Sequence, residues 1–300
     1  MIEFVKVIVS ISPVFIFLAA LVFLDSYKLV RLPSIVKTIC VGGLVGVVCF
    51  FITSWVLKRF DWDFDFYSNF ISPVLEESLK AAYLIYLMKK GKVGFMVDGA
   101  IYGFAIGAGF AAIENIDYLI ALRDSNLFLW IIRGFGTAVM HGGTMCILAI
   151  LSKSISERRS SEKWRYFLPG LLVAIVIHSF FNRLYFNAHI MTIVQLIALP
   201  ILIVVIFSQS ERVLRDWLEL GLDTDVMLLE FITEGKISET KIGKYLQSMK
   251  DTFPGEVLAD MLCYLRIQLE LAIRAKGILL LKGAGLGFPR MLKLVRSSLN

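Results

Sequence analysis

The sequence predicts an all-α membrane protein, a polytopic bundle of about seven transmembrane helices followed by a C-terminal cytoplasmic helical domain. Three observations predict it. Hydrophobic residues make up 57% of the 300-residue chain and charged residues only 19%, against roughly 45–50% and about 25% in soluble domains. The apolar residues gather into runs of about 20, the length that crosses ~30 Å of hydrocarbon as a helix. Lysine and arginine collect in alternate connections between those runs.

Seven runs qualify: 7–24, 38–57, 72–88, 95–122, 127–151, 167–186 and 190–207. The first follows Lys6, as a secretory signal would. No small-residue cleavage site comes after it, and Asp25-Ser26-Tyr27-Lys28 reads as a membrane exit, so it is expected to stay as a helix. The second and seventh contain no charge at all. The third opens on Ser72-Pro73, a pair suited to the first turn of a helix. In the fourth, Gly99, Gly103, Gly107 and Ala111 recur at four-residue steps and give a face on which another helix can come close. That ladder is expected to draw the fourth span against the third. The fifth and sixth hold polar side chains discussed below.

The first, third and fifth connections hold eleven lysines and arginines, and the opposite side holds four. Basic residues stay in the cytoplasm, so the N-terminus is expected outside and everything after residue 207 inside. Two domains follow: a transmembrane core, 1–207, and a cytoplasmic tail, 208–300. In the tail, helical spacing recurs at Val213-Leu214-Trp217-Leu218 and at Met261-Leu262-Leu265-Leu269. Gly221, the 233–238 stretch and Pro254-Gly255 punctuate it into three or four short helices. Its end is basic, with Arg266, Arg274, Lys276, Lys282, Arg290, Lys293 and Arg296 against Glu270. Docking on anionic lipid and a solvated helical domain both fit that composition.

Composition also excludes several classes. Cys40, Cys49, Cys146 and Cys263 have no metal-ligand spacing, which removes zinc fingers and CxxC redox sites. The net charge of +6 is accounted for by topology and does not point to nucleic acid.

An ionisable side chain inside a bilayer is costly without a partner or a water-filled cavity, and so marks function. Here the third span carries Glu76, Glu77 and Lys80, the fourth Glu114-Asn115, the fifth Arg133 and His141, and the sixth His178 and Asn182. Glu114 and His178 each stand roughly 12 Å below the outer end of their spans, and Glu76 and Glu77 roughly 6–8 Å below theirs, at 1.5 Å per residue. His141 falls near the midplane. Four helices thus bring acids and imidazoles toward one layer of the outer leaflet. Bland roles exist for each. Glu76 and Glu77 suit a helix N-terminus, Glu76 and Lys80 a neutral i,i+4 pair, Arg133 an outward snorkel or a partner for an acid, and His178 with Asn182 a helix–helix hydrogen bond.

Together these groups suit the activation of water. Desolvation makes a carboxylate a better proton acceptor, an imidazole can protonate a leaving amine, and an asparagine amide can stabilise an oxyanion. Ser179 beside His178, and Cys146 five residues after His141, are offset wrongly for a nucleophile–base pair on a helix. Glu114, His141 and His178 alternatively form a two-histidine, one-carboxylate set for a divalent metal such as zinc. Sequence alone does not separate the two.

The motifs Glu76-Glu77-Ser78-Leu79-Lys80 (EExxK) and Phe110-Ala111-Ala112-Ile113-Glu114-Asn115 (FxxxEN), followed by His141 and His178, resemble in order the PrsW family of intramembrane proteases. That family is distantly similar to the CAAX prenyl endopeptidases. The resemblance covers about residues 60–190, more weakly 254–288. It implies regulated proteolysis of a single-span membrane protein, such as an anti-sigma factor, on the extracytoplasmic side of the cytoplasmic membrane. Glu76 and Glu77 would activate water, with Glu114, His141 and His178 completing the site, and Asn182 is added from geometry as an oxyanion donor. The CAAX relatives have histidine where Glu114 stands, so their prenyl-cysteine specificity is not implied. Two readings from other classes remain at this level: a proton-coupled transporter or channel, and a non-catalytic membrane scaffold.

Overall fold

The computed structural model describes residues 2–25, 29–122, 126–159, 163–183 and 188–283, and among them the regular structure is helical, with no strand. The chain divides into two compact units, Met1–Ser210 and Glu211–Asn300. The first contains α1 (Ile2–Leu24), α2 (Leu32–Phe60), a single turn α3 (Phe64–Phe66), α4 (Ser72–Lys89), α5 (Met96–Ala121), α6 (Leu127–Arg159) and α7 (Leu168–Arg183). α8 (Ala188–Thr233) begins in this unit and continues unbroken past residue 207.

α5 is the centre of the bundle. Every residue from Val97 to Ala111 is buried, because the stretch is small or aromatic and aliphatic apart from Asp98, whose carboxylate accepts from the Gly94 and Phe95 N–H groups. Its glycines set how near the neighbours come. A Cβ on Gly107 would strike the backbone carbonyl of His141, one on Gly103 the carbonyl of Met145, and one on Gly99 would touch Ala149. All three neighbours belong to α6. The ladder therefore packs α5 on the helix that carries His141, and not on the Glu76–Glu77 helix expected from sequence. Glu114 lies seven residues, two turns, beyond Gly107 and shares that face. On another side Gly109 abuts the carbonyl of Ile39 and Gly42 that of Ile106, which brings α2 equally close.

α4 begins at Ser72 with Pro73 in its first turn, as expected, but the chain is already coiled before it. Asp63 caps the chain earlier, its Oδ2 accepting from the Phe66 N–H at 2.9 Å. From there the backbone turns through one wide turn, Tyr67–Ile71, in which the Ser72 N–H reaches the Tyr67 carbonyl five residues back. Continued by one residue, that pattern would pair the Pro73 nitrogen with the Ser68 carbonyl. Proline has no N–H. The Asn182 side chain of α7 takes its place, Nδ2 donating to the Ser68 carbonyl at 2.9 Å.

Among the described residues, five helices are long and apolar enough to cross a membrane: Phe4–Leu24, Leu32–Phe60, Met96–Ala121, Leu127–Ser156 and Trp164–Asn182. α4 is not among them, since Glu76, Glu77, Lys80 and Lys89 all fall within it. The end of the expected sixth span (184–186), and many side chains of the seventh, lie outside the described residues.

The second unit comprises the end of α8, α9 (Lys241–Ser248) and α10 (Gly255–Gly283). Gly221 does not interrupt α8. It is instead the place where the Lys276 chain passes, and Lys276 Nζ donates to Asp225 Oδ2 at 2.8 Å, beside the Trp217 ring. The breaks expected near 233–238 and at Pro254-Gly255 are present. Arg290, Lys293 and Arg296 of the basic end lie outside the described residues.

Gly107→Ala should lower stability in detergent by about 1–3 kcal/mol through overpacking against backbone. Gly99→Ala, which meets side chains at 3.3–3.4 Å, should cost far less. Thermal unfolding of the two purified variants compares them directly.

Candidate active site

The polar residues singled out in the sequence converge from four helices. Glu76, Glu77 and Lys80 come from α4, Glu114 from α5, Arg133 and His141 from α6, and His178 from α7. Glu77, Lys80 and His141 are fully buried and His178 nearly so. A buried charge survives only when paired and hydrogen-bonded. The partners are these.

Glu77 accepts from three sides. Its Oε1 takes Lys80 Nζ at 2.6 Å and His178 Nδ1 at 2.7 Å, and its Oε2 takes the Thr144 hydroxyl at 3.3 Å. Lys80, an ammonium with donors only, also donates to His141 Nδ1 at 2.9 Å and lies 4.4 Å from the centre of the Phe110 ring. That ring is 4.7 Å from the imidazole of His141, so Phe110 covers the bonded lysine and histidine with one apolar wall. On the far side, His141 Nε2 meets Glu114 Oε2 at 2.5 Å, and Glu114 Oε1 accepts from Arg133 at 3.2 Å. The i,i+4 neutralisation of Glu76 by Lys80 does not occur. Lys80 goes to Glu77, and the two adjacent acids separate because consecutive helix positions point about 100° apart.

Glu76 is different. Its Oε1 accepts from the Ser72 hydroxyl at 2.5 Å, while its Oε2 is buried without a hydrogen-bond partner. That oxygen stands 3.8 Å from His178 Nε2. Glu77 accepts from His178 Nδ1–H, which turns the other ring nitrogen, Nε2, toward Glu76 Oε2. The ring of His141 completes the arrangement, perpendicular to that of His178 at 4.9 Å between centres.

One ligand atom each from Glu76, His141 and His178 fall within 4.8 Å of one another. Two imidazoles and a carboxylate with an orphaned oxygen are a donor set known for divalent cations. Both His141 nitrogens are engaged here, however, Nδ1 by Lys80 and Nε2 by Glu114, so one of those bonds must open before His141 can take an ion. Behind each histidine stands a second carboxylate, Glu77 for His178 and Glu114 for His141, the arrangement that orients imidazole ligands. Glu114, expected from sequence as the carboxylate of the set, has both oxygens engaged by His141 and Arg133. Glu76 stands in the trio instead.

Buried acids and imidazoles gathered in this way are compatible with hydrolysis, and the chain resembles known hydrolases. The family model described as PrsW family intramembrane metalloprotease matches residues 31–208. The chain belongs to that family. A relative named Protease PrsW, from Clostridioides difficile (strain 630), is 27% identical over 191 residues, which cover 60% of this chain and 78% of the relative. No solved structure matches. As a PrsW-family member the chain is a peptidase and a multi-pass membrane protein, and the transporter and scaffold readings give way.

Two PrsW motif residues acquire roles that their spacing did not reveal. Lys80 was not among the expected site residues, yet it bonds both Glu77 and His141. Its signal was present, since a lysine inside an apolar span needs a partner. Asn115 points the other way and donates to the Ser10 carbonyl of α1 at 2.7 Å, strapping that helix to α5. Asn182 has one amide hydrogen on Ser68. Cys146 packs in the apolar core with Phe104 and Ala108.

Replacing Lys80 by Met should destabilise the protein by about 3–5 kcal/mol, because it strands Glu77 in the interior. Glu76→Gln should leave stability close to wild type, since no strong partner is lost. Unfolding of both variants in one detergent separates framework from chemistry.

Proposed function

We infer that this PrsW-family peptidase is an endopeptidase that cuts a membrane-tethered, single-span protein, such as an anti-sigma factor, near the extracytoplasmic side of the cytoplasmic membrane. The observation that carries the reading is Glu76 Oε2, buried and without a hydrogen-bond partner, 3.8 Å from Nε2 of His178. In a buried, polar pocket an unpaired carboxylate oxygen is a place for a water molecule to donate a hydrogen. Glu76 takes the proton as the water oxygen attacks the scissile carbonyl carbon, and returns it to the departing amine. Glu77 fixes His178 from behind, and Lys80 offsets the charge of Glu77 where bulk water is excluded.

The family description names a metalloprotease, and Glu76, His141 and His178 would hold its ion, His141 giving up one of its present bonds to Lys80 or Glu114. When bound, a divalent cation supplies Lewis-acid polarisation. Glu76 would then be a ligand, while Glu77 and Glu114 would keep the two imidazoles oriented from behind.

The bundle is read as seven spans with the N-terminus outside and the 208–300 tail in the cytoplasm. The charge bias of the connections supports it. The acidic and imidazole groups then lie toward the outer leaflet, which suits a substrate cut outside the cytoplasm.

Cleavage of a panel of tagged single-span reporters, blotted at equal membrane expression, tests the activity. Wild type should cut at least one, and Glu76→Gln, Glu77→Gln and His178→Ala should each lose more than about 100-fold, as general-base removal commonly does. A chelator that abolishes cutting, with recovery in zinc, assigns Glu76 as a ligand. Cutting that persists in chelator assigns it as the base. Cleavage unchanged in all three variants would end the proposal. Topology is tested separately: a fluorescent protein fused after Asn300 should glow, and alkaline phosphatase inserted at 123–126 should be active. The reverse pattern would turn the bundle over.

A further inference from the structure

Arg133 is the partner for an acid that its place in an apolar span allowed for, and the acid is Glu114. It lies eight residues before His141 on α6, so the two side chains start roughly 12 Å apart along the axis and cannot meet. Glu114, from the facing helix, spans the gap. One of its oxygens takes the Arg133 guanidinium at 3.2 Å and the other takes His141 Nε2 at 2.5 Å. Tyr118, one turn after Glu114 on α5, puts its ring under the same guanidinium, with Cζ 3.2 Å from the ring centre. Glu114 and Tyr118 thus grip Arg133 by its edge and its face together. A planar guanidinium can be held in that way and a compact ammonium cannot.

The direction of the hydrogen bonds follows from donor chemistry. Lys80 has only donors, so His141 Nδ1 accepts from it. The ring hydrogen is therefore on Nε2 and points at Glu114, which must accept. A carboxylate with 27% of its side chain exposed has water to turn toward, and the second anchor on its other oxygen removes that freedom. We propose that Arg133 is a positioning residue: it fixes Glu114 as the acceptor for His141 Nε2–H, and thereby sets the angle at which His141 joins Glu76 and His178. Arg133 touches none of those three groups and acts through Glu114 alone.

The chain has three histidines, which makes the test direct. Full-length protein labelled with 15N-histidine, in micelles with chelator, gives imidazole signals that His141→Gln assigns by deletion. In wild type, His141 should carry its hydrogen on Nε2, with a downfield N–H signal protected from exchange with water. In Arg133→Gln that signal should move upfield and exchange faster, and in Glu114→Gln likewise. A hydrogen on Nδ1 of His141 in wild type would overturn the proposal without any variant. So would an unshifted, equally protected Nε2–H signal in folded Arg133→Gln.

A kinetic arm rests on the proposed protease activity. With a reporter that wild type cuts, Arg133→Gln should lower kcat roughly 10–100-fold, the usual loss for an outer partner of a histidine, with KM little changed. An unchanged kcat would also overturn the positioning role. If wild type cuts no reporter, the proteolytic reading fails while the spectroscopic result still decides the role of Arg133.

Discussion

The burial of Glu77 is the constraint around which the core of this bundle is arranged. An ionised carboxylate removed from water loses solvation worth many kcal/mol unless protein donors replace it. Three replace it here, from Lys80 on its own helix, Thr144 on α6 and His178 on α7. Meeting that demand fixes the rotation of α4, the height of α6 and the approach of α7. Lys80 in turn must satisfy its remaining donors, and it finds His141 and the face of Phe110. The polar centre is thus a closed set of obligations, and each histidine has its orientation decided by a charge that had to be neutralised anyway.

Within that frame Glu76 is left incomplete. It sits one residue from the most fully bonded carboxylate of the site, yet helix geometry turns it toward a different environment. One oxygen is held by Ser72, and the other faces His178 Nε2 at 3.8 Å, beyond hydrogen-bond reach. A structural acid would not be left so, because an unmatched acceptor in the interior is destabilising. The pairing of a satisfied acid with an unsatisfied neighbour divides support from chemistry over a single peptide bond.

Backbone packing serves the same end. Gly103 and Gly107 let α6 come close enough for Glu114 to reach Arg133 and His141 together. The wide turn before α4 carries a proline whose missing N–H is made good by Asn182 of α7. That contact ties the approach to Glu76 to the helix bearing His178. Small residues and an irregular turn are therefore part of how the site is aimed, although they carry no chemistry of their own.

The sequence by itself determined that the chain is helical and built for a membrane, because apolar run length and charge are summed locally. It also marked Glu76, Glu77, Glu114, His141 and His178, because an ionisable group in an apolar span stands out whatever surrounds it. Tertiary structure alone decided who bonds whom. Lys80 chose Glu77 over Glu76, the glycine ladder chose α6 over α4, Gly221 was carried through a helix, and Arg133 came to hold Glu114. Such choices depend on distances of a few ångströms between different helices, and residue spacing along one helix carries no record of them.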